Sequence, residues 1–137
     1  MYKSILVPIA FEAEGNEKAI AALAIARALA GADARITLIH VMEKVPSYAI
    51  NYLPADFSAQ SRLAIESELT SLAKGVPGAV TEVVDGHSGR TILEWAEEKG
   101  ADLIVIASHQ PGMQDLLLGS TATQIVRHAR CAVHVLR

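Results

Sequence analysis

Along the chain the hydrophobic positions fall into two kinds of segment, short unbroken apolar runs and longer stretches in which apolar residues return every three or four positions. "KSILVPIA" (3–10) is too short for a helix, is rich in β-branched residues and Leu, and is halted by Pro8, which predicts a buried strand and a turn. In "EGNEKAIAALAIARALAGA", Ile20, Leu23, Ala24 and Arg27 recur at helical steps and Gly31 stands beyond the last turn, so a helix with a small-residue face is expected. "ARITLIHVM" (34–42) reads as a second strand, followed by a polar connection over 43–56 with no clear period. Helical spacing returns from Ala55 to Lys74, with Phe57, Leu63, Ile65, Leu69 and Leu72 as inward positions and "GVPG" as its end.

The second half repeats the alternation. "AVTEVVD" (79–85) predicts a third strand, and "SGRTILEWAEEKG" predicts a helix capped by Ser88, buried through Ile92, Leu93, Trp95 and Ala96, and closed by Gly100. "ADLIVIAS" (101–108) is the most continuous apolar run, as a strand covered on both faces requires. "STATQIVRHA" then has helical period and "CAVHVLR" reads as a last strand. The order β α β α β α β α β, with right-handed crossovers, implies an α/β fold: a parallel sheet with helices on both faces, organised as one domain over 1–137. Ligands of such sheets sit beyond the carboxyl ends of the strands, where the winding reverses. That directs attention to Pro8–Ala10, His40–Met42 and Ala107–Gln110.

Composition narrows the classes of function. The 137 residues are 51% hydrophobic but only 4% aromatic, so Ala, Val, Ile and Leu must fill the core. A formal charge of −3 without a Lys/Arg cluster speaks against a nucleic-acid partner. No apolar run reaches the roughly 18 residues of a spanning helix, so no membrane insertion is expected. The single Cys131 excludes an internal disulfide and any CxxC motif; a cytoplasmic location is the expectation.

The segments "ILVPI", "LIHV", "ADLIVIASH", "LLLGSTA" and "VRHARCAVHVLR" occur in the order found in the universal stress protein family, which the whole chain resembles. The resemblance implies a five-stranded parallel sheet, pairing of two copies through the last strand, and, in one division of the family, bound ATP. The nucleotide-binding pattern there is Gly-x-x-Gly, a spacer, then Gly-Ser/Thr. Here Ala107 and Gln110 occupy the places of the first two glycines, and eight residues separate Gln110 from Gly119, one fewer than in that pattern. "ASHQP" followed by "LLLGS" is similar to a subgroup of which some members hold ATP.

Each candidate residue carries a plainer reading beside the functional one. Gly119, Ser120 and Thr121 suit a phosphate at a helix N-terminus, and equally a tight turn with Ser120 as cap. This is not a P-loop, because no Lys follows the glycine. Ser108 and His109 form a polar pair at a strand mouth, fit for ligand contact; a His109 base is the weaker reading. Pro111 and Gly112 set loop geometry and stand near the missing glycine. At the first strand, Pro8, Ile9 and Ala10 occupy the place where the family commonly carries an Asp two residues after the Pro, so a polar contact to sugar or metal is lost. Glu12 is more simply an exposed residue. Val41 matches a position whose main chain holds adenine, compatible with a strand-core role. His87 and Arg90 suit a solvated helix start, and Arg127 and His128 suit the negative end of a helix dipole. Cys131 packs rather than reacts, and His134 suits a dimer contact.

The expected function is a homodimeric, adenine-nucleotide-binding regulatory protein of the stress-response type, holding ATP with Mg²⁺ and contacting a further protein partner. A nucleotide-free dimer acting through protein contacts and a weak ATPase are the alternatives. Truncation of residues 131–137 is expected to give an unstable or monomeric protein, because Ala132, Val133, His134, Val135 and Leu136 form the pairing strand. Sedimentation of an unchanged dimer after truncation contradicts that.

Overall fold

The computed structural model describes residues 1–11, 15–108 and 119–137; Glu12, His109, Gln110, Pro111 and Gly112 therefore lie outside the described residues. The strands are β1 (Tyr2–Pro8), β2 (Ala30–Met42), β3 (Val80–Asp85), β4 (Leu103–Ala107) and β5 (Ala132–Leu136). Between them lie the helices α1 (Glu17–Leu29), α2 (Phe57–Ala73), α3 (Ser88–Lys99) and α4 (Ser120–His128). The sheet runs in the order β3-β2-β1-β4-β5, and every neighbouring pair is parallel. This is the α/β alternation the pattern predicts, with β1 in the middle and β4 an interior strand paired on both sides.

Alternation along β1 divides the interior into two layers. Ile5, Val7 and Ile9 face one side with Leu38 and Val105, where α1 contributes Ala22, Leu23 and Ala26 and α2 contributes Leu69. Leu6 faces the other with Ile39, Ile104 and Ile106, where α3 contributes Ile92 and Ala96 and α4 contributes Ala122 and Ile125. Consecutive residues Leu103–Ile106 are all buried because helices cover both faces, which is why that run lacks polar alternation. Small residues on α1 let its backbone lie close to the sheet. Among the described residues no helix is long and apolar enough to cross a membrane.

Several local expectations are corrected. The buried stripe of α1 is Ala22, Leu23 and Ala26, whereas Ile20 is 59% exposed and Ala24 and Arg27 also face outward. The spacing through Leu23 admits two stripes, and docking on the sheet selects the smaller side chains. Gly31 does not stop α1: the chain passes at Ala30 directly into extended backbone. In α2, Phe57 and Leu63 are exposed and Leu69 is the one fully buried anchor, worth about 1.5–3 kcal/mol of burial. The 43–56 connection contains a 3-10 turn, Ser47–Tyr52. Ser88 and Ser120 are first helical residues rather than caps, the cap positions being His87 and Gly119. Gly100 does close α3, in the left-handed conformation at φ 71° that favours glycine.

One side chain joins the beginnings of β1 and β4. Asp102 accepts the amides of Lys3 (2.9 Å) and Ser4 (2.9 Å), while its own amide donates to the Ser4 carbonyl. Desolvation alone would raise its pKa, but the backbone N–H donors, helped by the Lys3 charge, outweigh it and hold the carboxyl below its ordinary value. With the folded value depressed, this contribution is complete above the unfolded value of about 3.9 and is lost as pH falls through the folded value. Asp102→Asn is expected to cost about 1–2 kcal/mol near neutral pH. Urea titrations of both proteins should show that gap narrowing as the solution is acidified below about pH 4; a constant gap contradicts the role of the charge.

Candidate functional site

The winding reverses between β1 and β4. After β1 the chain turns to the layer of α1, whereas after β4 it turns to the layer of α4, so the two exits diverge and leave a crevice. A cleft of about 220 Å³ lies there. Pro8, Ile9 and Ala10 line it from the end of β1, His40 and Val41 from β2, and Ile106 and Ala107 from β4. Gly119, Ser120 and Thr121 line it from the start of α4, while Lys18 and Ala19 reach it from α1 and Ser88 and Ile92 from α3.

The topology therefore brings together Pro8, Ile9, Ala10, Val41, Ala107, Gly119, Ser120 and Thr121 from widely separated positions. Ser108 sits just behind the wall, buried, and fastens three segments. Its hydroxyl oxygen accepts the Gly119 amide at 3.1 Å, its own amide donates to the Leu136 carbonyl at 2.8 Å, and its carbonyl accepts the Lys18 ammonium at 2.9 Å. The candidates His109 and Gly112 lie outside the described residues. Arg90 and His87 are exposed and do not line the cleft, in keeping with a solvated helix start.

The two helix N-termini beside the cleft differ. At α3, Glu43 accepts the Ser88 hydroxyl at 2.9 Å and the Ser88 amide at 3.5 Å, so a carboxylate of the chain already answers that positive end. At α4, Ser108 takes only the Gly119 amide, and the first intrahelical bond runs from Thr123 to the Gly119 carbonyl. The amides of Ser120, Thr121 and Ala122 thus have no carbonyl within the helix. They lie where an anion would meet both N–H groups and dipole.

The β1 exit is held from β2. The Ile9 amide donates to the Ile39 carbonyl at 2.8 Å, and Nδ1 of His40 lies 2.7 Å from the Ile9 carbonyl, so that nitrogen carries the proton. Phe11 packs on the imidazole with ring centroids 5.2 Å apart. On the opposite side of the fold from the cleft, Cys131 packs with the α3–α4 layer, and burial pushes its thiol pKa up, the environment of a structural cysteine.

Sequence reading passed over Lys18, took Ser88 only as a cap, and gave His40 a place at a strand end but no role. Lys18 had a legible signal. A cation in the first turn of a helix opposes the dipole, a local inconsistency that calls for something outside the helix to explain it. His40 had none, because its partner Ile9 is distant in sequence and adjacent only across the sheet.

Comparison with known proteins accords with this architecture. The model of the universal stress protein family matches residues 1–137. Universal stress protein G of Shigella flexneri is 34% identical over 145 residues, covering 100% of both chains. Among solved structures, hypothetical protein MJ0577 superposes with a TM-score of 0.81 at 23% identity, covering 99% of this chain and 96% of its own. A universal stress protein in complex with cAMP superposes at 0.65 with 22% identity, covering 99% and 97%. One from Archaeoglobus fulgidus in complex with dAMP superposes at 0.67 with 15% identity, covering 99% and 98%. At these identities the structural likenesses establish the fold.

Ser108→Ala tests the fastening directly, since it leaves the buried Gly119 amide without its acceptor. A loss of about 1–2 kcal/mol in chemical denaturation is expected, with faster hydrogen exchange at the first turn of α4. Unchanged exchange there would show that the hydroxyl does not organise the helix start.

Proposed function

Because the chain belongs to the universal stress protein family, we propose that its cleft binds an adenine nucleotide, ATP in the first instance, and that it serves in the stress response as a nucleotide-dependent homodimer. The observation that carries the reading is the meeting of two complementary surfaces in one cavity. An apolar wall at the ends of β1 and β2 faces the amide-bearing start of α4. Two proteins of the same fold were solved with cAMP and with dAMP, which supports an adenine nucleotide as the class of ligand.

In this arrangement the base lies against Ile9, Ile39 and Val41, with the Val41 main chain free to read its edge. The sugar lies by Pro8 and Ala10, and the phosphates approach Gly119, Ser120 and Thr121. Bound nucleotide favours one arrangement of the 43–56 connection and of the β4 end and α4 start that frame the cleft, and occupancy changes the surface presented to a protein partner. A requirement for differential affinity follows: the nucleotide must prefer one arrangement of these segments over the other. No hydrolytic step is proposed, because no base or carboxylate is placed toward the phosphates among the described lining residues.

Mg²⁺ fits the described donors poorly. Magnesium favours carboxylate and water oxygens, and Ala10 offers no side-chain oxygen at the β1 exit. The described lining residues offer hydroxyls at Ser88, Ser120 and Thr121 but no carboxylate.

The homodimer reading rests on β5. It pairs with β4 on one side and is the last strand of the sheet on the other, so a second copy could continue the hydrogen bonding. Ala10, which lacks the carboxylate common in the family, and Ala107 and Gln110, which stand where its nucleotide-binding pattern has glycines, favour the nucleotide-free alternative.

Denaturing the purified protein and analysing the supernatant by mass spectrometry, followed by thermal shifts with ATP, ADP, AMP and cyclic nucleotides, decides between the two. Release of an adenine nucleotide, or a rise in Tm at saturating ligand, is expected. Absence of both overturns nucleotide binding and leaves the protein-contact dimer.

A further inference from the structure

We propose that the cleft takes its nucleotide as the metal-free anion, with the Lys18 ammonium occupying the electrostatic role of a divalent cation. The inference rests on the nucleotide reading of the same cleft and adds the form of the ligand and the residue that selects it.

Three observations carry it. First, Lys18 is half-buried at the second position of α1, where the helix dipole opposes a cation, yet its ammonium turns into the cleft and donates to the Ser108 carbonyl at 2.9 Å. Ser108 in turn holds the Gly119 amide, so the ammonium and the start of α4 are tied to one residue. Second, no Asp or Glu is found among the described lining residues, and Lys18 is the one lysine or arginine there. Third, among the described residues no group of three or more His, Cys, Asp or Glu side chains could hold a metal ion. Glu43, the carboxylate close to α3, is engaged by Ser88.

Charge decides what such a site prefers. An ammonium and a helix N-terminus carrying about half a positive charge both gain from a bare phosphate. A phosphate already neutralised by Mg²⁺ offers less to either, and the metal and ammonium would compete for the same oxygens, with no carboxylate among the described lining residues to separate them. Selection then falls on the phosphate group by Lys18 and on the base by the apolar wall.

Calorimetric titration of the nucleotide-free full chain with adenosine, AMP, ADP and ATP, each in EDTA and in excess Mg²⁺, tests this. Lys18→Gln keeps an N–H donor for the Ser108 carbonyl but removes the charge, and Lys18→Arg keeps the charge. The unsubstituted protein should bind ATP in EDTA at least as tightly as with Mg²⁺. Lys18→Gln should weaken AMP, ADP and ATP about tenfold or more while leaving adenosine unchanged, and Lys18→Arg should restore most of the loss. Binding that requires Mg²⁺, a Lys18→Gln protein with unaltered phosphate affinity, or equal weakening of adenosine overturns the inference while nucleotide binding stands. If the unsubstituted protein binds none of the four compounds, both readings fall. Melting of each variant separates lost binding from lost folding, and should Lys18→Gln unfold, the Mg²⁺ comparison and Lys18→Arg still decide.

Discussion

A parallel strand pair whose two outgoing connections leave toward opposite faces cannot close the space between them, and the cleft depends on that constraint acting at β1 and β4. Leu6 pairs with Ile104 in register, yet the chain beyond β1 enters the layer of α1 and the chain beyond β4 enters the layer of α4. The opening is a consequence of topology and persists whatever side chains line it. Its depth depends on covering helices that keep small residues near its floor, Ala19 and Ala22 on one side and Ala122 on the other.

A gap between diverging chains needs fastening. The bonds of Ser108 provide it at the β4 exit, joining the end of β5, the start of α4 and the ammonium of α1. The imidazole of His40 holds the β1 exit to β2. These polar contacts are few, but they lie where the apolar layers end and where unpaired main-chain groups would otherwise be costly. At the opposite end of the strands Asp102 does a comparable job for the beginnings of β1 and β4, so the central pair is held at both ends.

The electrostatics of the cleft follow from which helix ends are answered internally. Glu43 meets the start of α3, while Ser120 and Thr121 at the start of α4, whose amides have no carbonyl within the helix, line the cavity with Lys18 in the same wall. The Gly119 amide is committed to Ser108, so the first-turn amides of α4 without a carbonyl inside the helix are those of Ser120, Thr121 and Ala122.

The sequence alone was enough for the β/α alternation, because unbroken apolar runs and helical spacing are local consequences of two-sided burial and one-sided burial. It also directed attention to Pro8–Ala10, His40–Met42 and Ala107, since strand ends are legible where apolar runs stop, whereas Val41 and Gly119–Thr121 are singled out with the family resemblance. The topology gathers Pro8–Ala10, His40, Val41, Ala107 and Gly119–Thr121 at one cleft. The sequence did not determine which stripe of α1 turns inward, because Ile20 and Ala22 both fit the helical period and only close packing on the sheet favours the alanine. Nor did it identify caps at Ser88 and Ser120 correctly, because cap position depends on where the incoming chain bends. The roles of His40, Ser108 and Lys18 belong to tertiary structure: His40 meets the Ile9 carbonyl, the Ser108 amide meets the Leu136 carbonyl and Lys18 meets the Ser108 carbonyl, atoms far apart in sequence that the sheet order β3-β2-β1-β4-β5 and the helices packed on it bring together.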